Sequence, residues 1–230
     1  MKTFYGRVGK RIFDAAIASI ALVALTPLFA VIALLIKITS RGPIFYRQAR
    51  VGRSGRIFQL AKFRSMIVNS ERKGLLITSA GDRRVTPFGR ILRRSKMDEL
   101  PQFWNVVRGE MSLVGPRPEV PLYVDFYSVE QREVLTIRPG ITDPASIAYR
   151  DEEKVLAGKS DPDLYYRHVV LPHKIDLNRE YLKRLSFSYD LWLLFRTAAI
   201  VAFPKPTVRG LMGSAKEIPE HADEILFLDR

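Results

Sequence analysis

The sequence predicts an α+β fold, predominantly helical, with a re-entrant membrane helix hairpin, a small β-hairpin and amphipathic interfacial helices. Three observations predict it. Residues 15–36 (AAIASIALVALTPLFAVIALLI) form an apolar run broken at Thr26-Pro27 and flanked by basic residues on both sides. Residues 43–66 carry strand-favouring aromatics on either side of a GRSG turn. From Gln102 onward, stretches with helical spacing alternate with proline-rich breaks.

The apolar run decides which side of a membrane the rest of the chain works on. Twenty-two residues make a helix of about 33 Å, close to the roughly 30 Å hydrocarbon thickness. A secretory signal does not fit, because the run is too long and no small-residue cleavage pattern follows Ile36. Lys2, Arg7, Lys10 and Arg11 precede it, and Lys37, Arg41, Arg47 and Arg50 follow. The positive-inside bias therefore wants both ends on the cytoplasmic side. Pro27 interrupts the hydrogen-bond ladder, and the Thr26 hydroxyl can satisfy a freed carbonyl. Two half-helices of about 17 Å would each reach one leaflet deep. A helix that enters, bends at Thr26-Pro27 and returns satisfies length, charge and breaker together. The competing arrangement is a kinked true span. The anchor is assigned to residues 1–40.

The formal charge is +13, and the chain contains no cysteine. A disulfide-stapled secreted fold and thiolate metal sites are thereby excluded. The charge is uneven: Lys37 to Lys96 contains sixteen Lys or Arg against only Glu71 and Asp82. A basic block directly after an apolar segment suits a cytoplasmic surface facing anionic lipid, and more generally a polyanionic or phosphorylated partner.

Beyond the hairpin, residues 67–75 read as helix or loop, and a short basic helix lies within ITSAGDRRVTPFGRILRRSKMDELP. FWNVVRGEM has helical spacing ending near Gly109, and LVGPRPEVP breaks regular structure. Tyr123 to Leu135 reads as helix, IRPGITDPASIAYRDEE as a turn-rich loop, and 162–184 as a helix pair interrupted at Pro172. SYDLWLLFRTAAIVAF is apolar but short for a span and contains Arg196, so it reads as an interfacial or a core helix.

Four stretches can carry chemistry. In RRSKMDELPQFWN, the adjacent carboxylates Asp98 and Glu99 follow Arg90, Arg93, Arg94 and Lys96. Ser95-x-x-Asp98 also fits a helix-start capping pattern, and a carboxylate at such an end amid arginines is expected to stay ionised. That is what an attacking carboxylate or a metal ligand needs. In LVGPRPE, Arg117 lies between Pro116 and Pro118, which restrain its backbone and fix the angle at which the guanidinium meets a phosphate. Arg138 and Arg150 bracket the Gly/Pro loop RPGITDPASIAYR. Lys62 and Arg64 in KFRSM would share one strand face. His168 and His173, five apart and without cysteine, read as structural rather than as zinc ligands.

Taken in order, the broken apolar segment, KFRSM, the DELPQ..NV..G.MSLVGPRP block and RPGIT resemble the monotopic phosphoglycosyl transferases, the bacterial sugar transferase family. The resemblance covers about residues 5–200. Longer relatives carry extra transmembrane helices before this unit, and the chain is similar to the minimal form. The resemblance implies a catalytic domain over 41–204, followed by a tail over 205–230. It implies transfer of a phospho-sugar from a UDP-sugar to polyprenol (undecaprenyl) phosphate with release of UMP. The site would be on the cytoplasmic face of the bacterial inner membrane. It further implies Asp98 as the nucleophile forming a covalent aspartyl-phosphosugar intermediate, and Glu99 associated with Mg²⁺ and acid–base work. Both carboxylates fall at the expected metal site. Lys62, Arg93, Arg117 and Arg150 match the family's phosphate- and nucleotide-binding positions. The partners implied are UDP-sugar, undecaprenyl phosphate and the lipid bilayer, with no nucleic acid; homo-oligomerisation is compatible with it.

Two departures stand out. Thr26 replaces the Ser common before the proline, keeping the hydroxyl. After RPGIT, many relatives continue GWAQVNGR where this chain has DPASIAYR, so the nucleotide loop and sugar identity do not carry over. The alternatives are a non-catalytic basic module binding a membrane surface or nucleic acid, and an inactive scaffold of a polysaccharide complex. The carboxylate pair separates these from the enzyme, because a purely electrostatic binder gains nothing from Asp98 and Glu99 amid its arginines.

Overall fold

Two helices bent against each other begin the fold. In the computed structural model, which describes residues 5–68, 82–157 and 159–203, the chain bends by 61° between α1 (Lys10–Ala24) and α2 (Thr26–Thr39). Among the described residues no single helix is long and apolar enough to cross a membrane, whereas this bent pair meets that test jointly. Leu25 still donates its N–H to Ala21 O, and the Thr26 hydroxyl donates to Leu22 O at 2.9 Å, so the break at Pro27 leaves these carbonyls paired. Ile20, Val23, Leu28, Val31 and Leu34 around the bend are exposed, Val23 at 76 %.

The two helices return to the same body. α1 buries Asp14 and Ala18 against α4 (Gln102–Val107) and β3 (Ser112–Val114), and Arg11 donates to the carbonyls of Val106 and Val107. Those carbonyls end α4, where a cation is favourable. α2 buries Ile32 and Ile36 against Phe63 at the end of β2 and Leu92 of the basic helix that follows. Fully burying side chains of this size stabilises by about 1.5–3 kcal/mol each.

The expected hairpin forms: β1 (Phe45–Val51) pairs antiparallel with β2 (Ile57–Phe63), from Phe45 opposite Phe63 to Val51 opposite Ile57. Its connection uses left-handed backbone at Ser54 and Gly55. The basic helix is α3 (Pro87–Arg94), capped by Thr86, whose hydroxyl accepts from Gly89 N–H.

Four expectations are corrected. Ser95 does not cap a following helix: it ends α3, donating to Ile91 O, and Met97–Glu99 form a single 3₁₀ turn. Tyr123 to Leu135 is not one helix but α5 (Pro121–Asp125) followed by a separate 3₁₀ segment, Gln131–Thr136. The RPGITDPAS stretch is not simply loop. β4 (Gly140–Thr142) pairs parallel with β3 and leads into α6 (Pro144–Ala148) and α7 (Glu152–Leu156). Three-residue strands leave too little alternation in sequence to be seen. Finally, Pro172 does not interrupt a helix pair. α8 (Pro162–Tyr165), a π turn at Tyr166–Val170 and α9 (Leu171–Arg184) run on continuously, the wide turn absorbing the proline.

The last helix, α10 (Phe187–Ala202), is two-faced as expected. Asp190 and Leu193 are buried, while Phe187, Leu191, Trp192 and Phe195 are exposed. Asp190 receives the Tyr181 hydroxyl at 2.6 Å and Lys10 Nζ at 2.5 Å, tying α10 to α9 and α1. The expected tail and most of residues 67–75 lie outside the described residues.

Candidate active site

Lys62 enters the site through strand alternation. Phe58 and Leu60 of β2 face the core, and Lys62, two residues on, occupies the same face. Its ammonium meets Glu99 Oε1 at 3.0 Å. Arg64, expected beside it, diverges: it lies past the strand end and donates to Ser40 at the end of α2.

Asp98 and Glu99 sit at a sharp reversal. After α3 the chain turns through Lys96 in left-handed backbone (φ 57°), and the 3₁₀ turn Met97–Glu99 follows. Such backbone costs a non-glycine residue roughly 1–3 kcal/mol, and persists where the surroundings impose it. The surroundings here are rigid on both sides. A Cβ on Gly89 of α3 would fall 2.0 Å from Ser65 O, so α3 lies directly against the chain leaving β2. On the other side Asn105 of α4 accepts from Ala61 N–H (3.0 Å) and donates to Gln59 O (2.8 Å), fastening α4 to β2.

Arg117 completes the clasp. It donates from Nη1 to Glu99 Oε2 at 3.1 Å and from Nη2 to Glu99 Oε1, a bidentate pair. Its turn is held by the two glycines of LVGPRP and RPGIT: a Cβ on Gly140 would lie 2.1 Å from Gly115 N. Gly115 donates to Thr142 O and Gly140 donates to Pro116 O, each at 3.0 Å. Two motifs far apart in sequence thus form one structural unit.

The electrostatics separate the adjacent carboxylates. Burial acts to raise Glu99, but the Arg117 and Lys62 charges outweigh it and hold the carboxyl well below the usual range. Burial pushes Asp98 up, against the opposing pull of Lys62, with Glu99 adding to the rise and Arg93 and Lys96 opposing it. Asp98 is 6 % exposed, and its Oδ1 has no hydrogen-bond partner among the described residues. The expectation of a readily ionised Asp98 at a helix start is therefore corrected, since no helix begins there and desolvation dominates. Burial also lowers the Lys62 ammonium despite Glu99.

The fold brings together Lys62, Asp98, Glu99 and Arg117, with Arg93 close enough for its charge to act on Asp98. Arg93 itself is paired with Glu153 of α7. Arg150 lies between α6 and α7 and makes no ion pair among the described residues. Arg138 donates to Gly109 O and braces the scaffold. His173 is structural, its Nδ1 2.6 Å from the Tyr149 hydroxyl.

Among the described residues no group of three or more Asp, Glu, His or Cys converges. Asp98 and Glu99 offer two carboxylates, one with a buried, unpartnered oxygen. That donor set fits Mg²⁺, which is commonly bound through one or two carboxylates and completed by water and substrate phosphates.

The model of the family described as bacterial sugar transferase matches residues 5–204. The chain belongs to the bacterial sugar transferase family. Among the chain's curated relatives is a UDP-N-acetylgalactosamine-undecaprenyl-phosphate N-acetylgalactosaminephosphotransferase of Aeromonas hydrophila. It is 38 % identical over 82 % of this chain and 42 % of the relative. A UDP-glucose:undecaprenyl-phosphate glucose-1-phosphate transferase of Xanthomonas campestris pv. campestris is 37 % identical, over 86 % of this chain and 39 % of the relative. The exopolysaccharide production protein ExoY of Sinorhizobium fredii is 33 % identical over 87 % of this chain and 88 % of its own length. The chain thus spans less than half of the first and second of these relatives and most of the third.

Three supporting residues of the site carry no role that local sequence reveals: Asn105, Asp143 and Glu153. Asp143 sits directly after RPGIT, where the sequence departs from many relatives, and that departure was its only signal. Asn105 stands in the DELPQ..NV block, where nothing local assigns it a task, and Glu153 gave no signal, because the partners of both are distant in sequence.

Proposed function

We propose that this bacterial sugar transferase moves a sugar phosphate from a UDP-sugar to undecaprenyl phosphate, releasing UMP, through a covalent Asp98 intermediate. The observation that carries the proposal is the division of labour between the carboxylates. Glu99 is saturated by Lys62 and Arg117, while Asp98 keeps a buried, unpartnered oxygen among cations.

An Asp98 oxygen attacks the sugar-bearing phosphorus, forming an acyl-phosphate bond as the bond to the bridging oxygen breaks and UMP departs. An oxygen of undecaprenyl phosphate then attacks the same phosphorus, the bond to Asp98 breaks, and a diphosphate-linked lipid sugar results. Two like-charged reactants meet only where charge is neutralised. Lys62, Arg93 and Arg117 supply part of that, and Arg93 must exchange Glu153 for substrate phosphate. Mg²⁺ held by Asp98, and by Glu99 once it exchanges one of its cationic partners, would add further charge neutralisation on the diphosphate.

The bent α1–α2 pair supports a re-entrant anchor at the cytoplasmic face. Phe13 and Ala18 of α1 and Phe29, Ile32 and Ile36 of α2 pack on the same body, while Ile20, Val23, Leu28 and Val31 around Thr26-Pro27 present apolar side chains outward. The exposed aromatic face of α10 suits the interfacial region of the bilayer. In this arrangement the lipid tail stays in the membrane while its phosphate reaches Asp98. A UMP-release assay over a panel of UDP-sugars, with undecaprenyl phosphate and Mg²⁺, tests the proposal; no UMP from any sugar overturns it.

A further inference from the structure

We infer that Asp143 is a positioning residue for Arg117, and that its carboxylate sets the angle at which that guanidinium enters the site. The inference rests on the function proposed above only for its kinetic readout.

Asp143 is completely buried, at 0 % exposure, at the end of β4. Its Oδ2 accepts the backbone N–H of Arg117 at 2.6 Å and Asn178 Nδ2, from α9, at 3.1 Å. Its Oδ1 accepts Ser146 N–H, capping α6. Three donors from three segments thus converge on one carboxylate, with no cation among them.

The geometry explains why Arg117 needs this partner. Pro116 and Pro118 have no N–H, so the Arg117 amide is the only backbone donor in the Pro-Arg-Pro turn. Pro116 is fixed through its carbonyl by Gly140 N–H, and Gly115 through Thr142 O. Arg117 N–H is the next donor along, and Asp143 is the residue after Thr142. The β3–β4 pairing is in effect extended by one side-chain bond. Beyond that bond the Arg117 side chain leaves for Glu99. If it is lost, the turn can rotate about the prolines and a buried N–H is left unsatisfied. A displacement of about 1 Å in a positioning group can cost about 10²-fold in rate.

Capping and positioning can be separated. Asp143→Ser retains a good helix cap for α6, but its shorter side chain does not reach Arg117 N–H as well. Asp143→Asn also caps, but then turns its NH₂ toward the Arg117 and Asn178 donors. Both variants are expected to fold, and to lower kcat/KM for UMP release about 10- to 100-fold. In an Arg117→Ala background, Asp143→Ser is expected to cost no more than about two-fold, because a residue acting through Arg117 has nothing left to position. The second readout needs no turnover: hydrogen–deuterium exchange of the Arg117 amide, the lone backbone amide between Gly115 and Glu119, should speed up at least about ten-fold in Asp143→Ser. Full additivity with Arg117→Ala, or an Arg117 amide as protected as in the parent, overturns the inference. If the parent protein releases no UMP from any UDP-sugar, the proposed function fails, while the amide exchange still decides the role of Asp143.

Discussion

Asp98 and Glu99 are neighbours in the chain, yet Glu99 is gripped through both oxygens by Lys62 and Arg117 while Asp98 Oδ1 is buried without a partner. The 3₁₀ turn points the two side chains into different surroundings, and their proton affinities move in opposite directions.

For Asp98 the consequence is a pH profile. Its carboxyl is raised above the ordinary range, so the attacking carboxylate forms only as pH climbs through that raised value. In the metal-free protein the Asp98 carboxyl should titrate above the range of an ordinary aspartate, read by carboxyl-carbon NMR, and added Mg²⁺ should pull that midpoint back down. The stability term has the opposite sense. The protonated form favours the fold, so its contribution is full below the unfolded pKa and lost as pH rises through the folded one. Asp98→Asn should therefore melt no lower than the parent at pH 8 while losing at least about 10³-fold in turnover. A variant that keeps near-native UMP release would remove Asp98 from the chemistry.

Glu99 predicts the reverse dependence. Its carboxyl is depressed, so the stability it contributes is present above its unfolded pKa and disappears as pH falls through the folded value. Glu99→Gln leaves the half-buried Lys62 and Arg117 without their shared counterion, and losing such charged hydrogen bonds costs about 1.5–3 kcal/mol. Urea unfolding at pH 7 measures it. Adding Lys62→Met should recover part of the loss, since it removes one of the two uncompensated charges.

Glu153 holds Arg93 in the absence of substrate. The Glu153 side chain is 47 % exposed, which limits the pair to under about 1 kcal/mol. Glu153→Gln should lower KM for the UDP-sugar, by no more than about five-fold, with kcat nearly unchanged. A raised KM would instead make Glu153 a direct substrate contact.

The anchor can be tested directly because the chain has no native cysteine. Val8→Cys and Arg41→Cys, both at exposed positions before and after the bent pair, should react with a membrane-impermeant maleimide from the same side of the bilayer. Val23→Cys, near the bend, should be shielded from it. Labelling of positions 8 and 41 from opposite sides would restore a true span.

Elements whose signal is local are legible in the chain alone. The apolar run, its break at Thr26-Pro27 and its basic flanks are composition, and the β1–β2 hairpin is alternation around a turn. Asp98, Glu99 and Arg117 stand out because carboxylates amid arginines, and an arginine between prolines, are conspicuous in a linear string. The surroundings those side chains meet in the folded chain are set by distant segments. Whether Asp98 or Glu99 keeps an unpartnered oxygen depends on Lys62 arriving from a strand and Arg117 from a turn that two glycines press together. Asp143, Asn105 and Glu153 gained their roles in the same way. Desolvation and ion pairing are set by what surrounds a group in space, and for each of these residues the decisive neighbour lies on another segment of the chain.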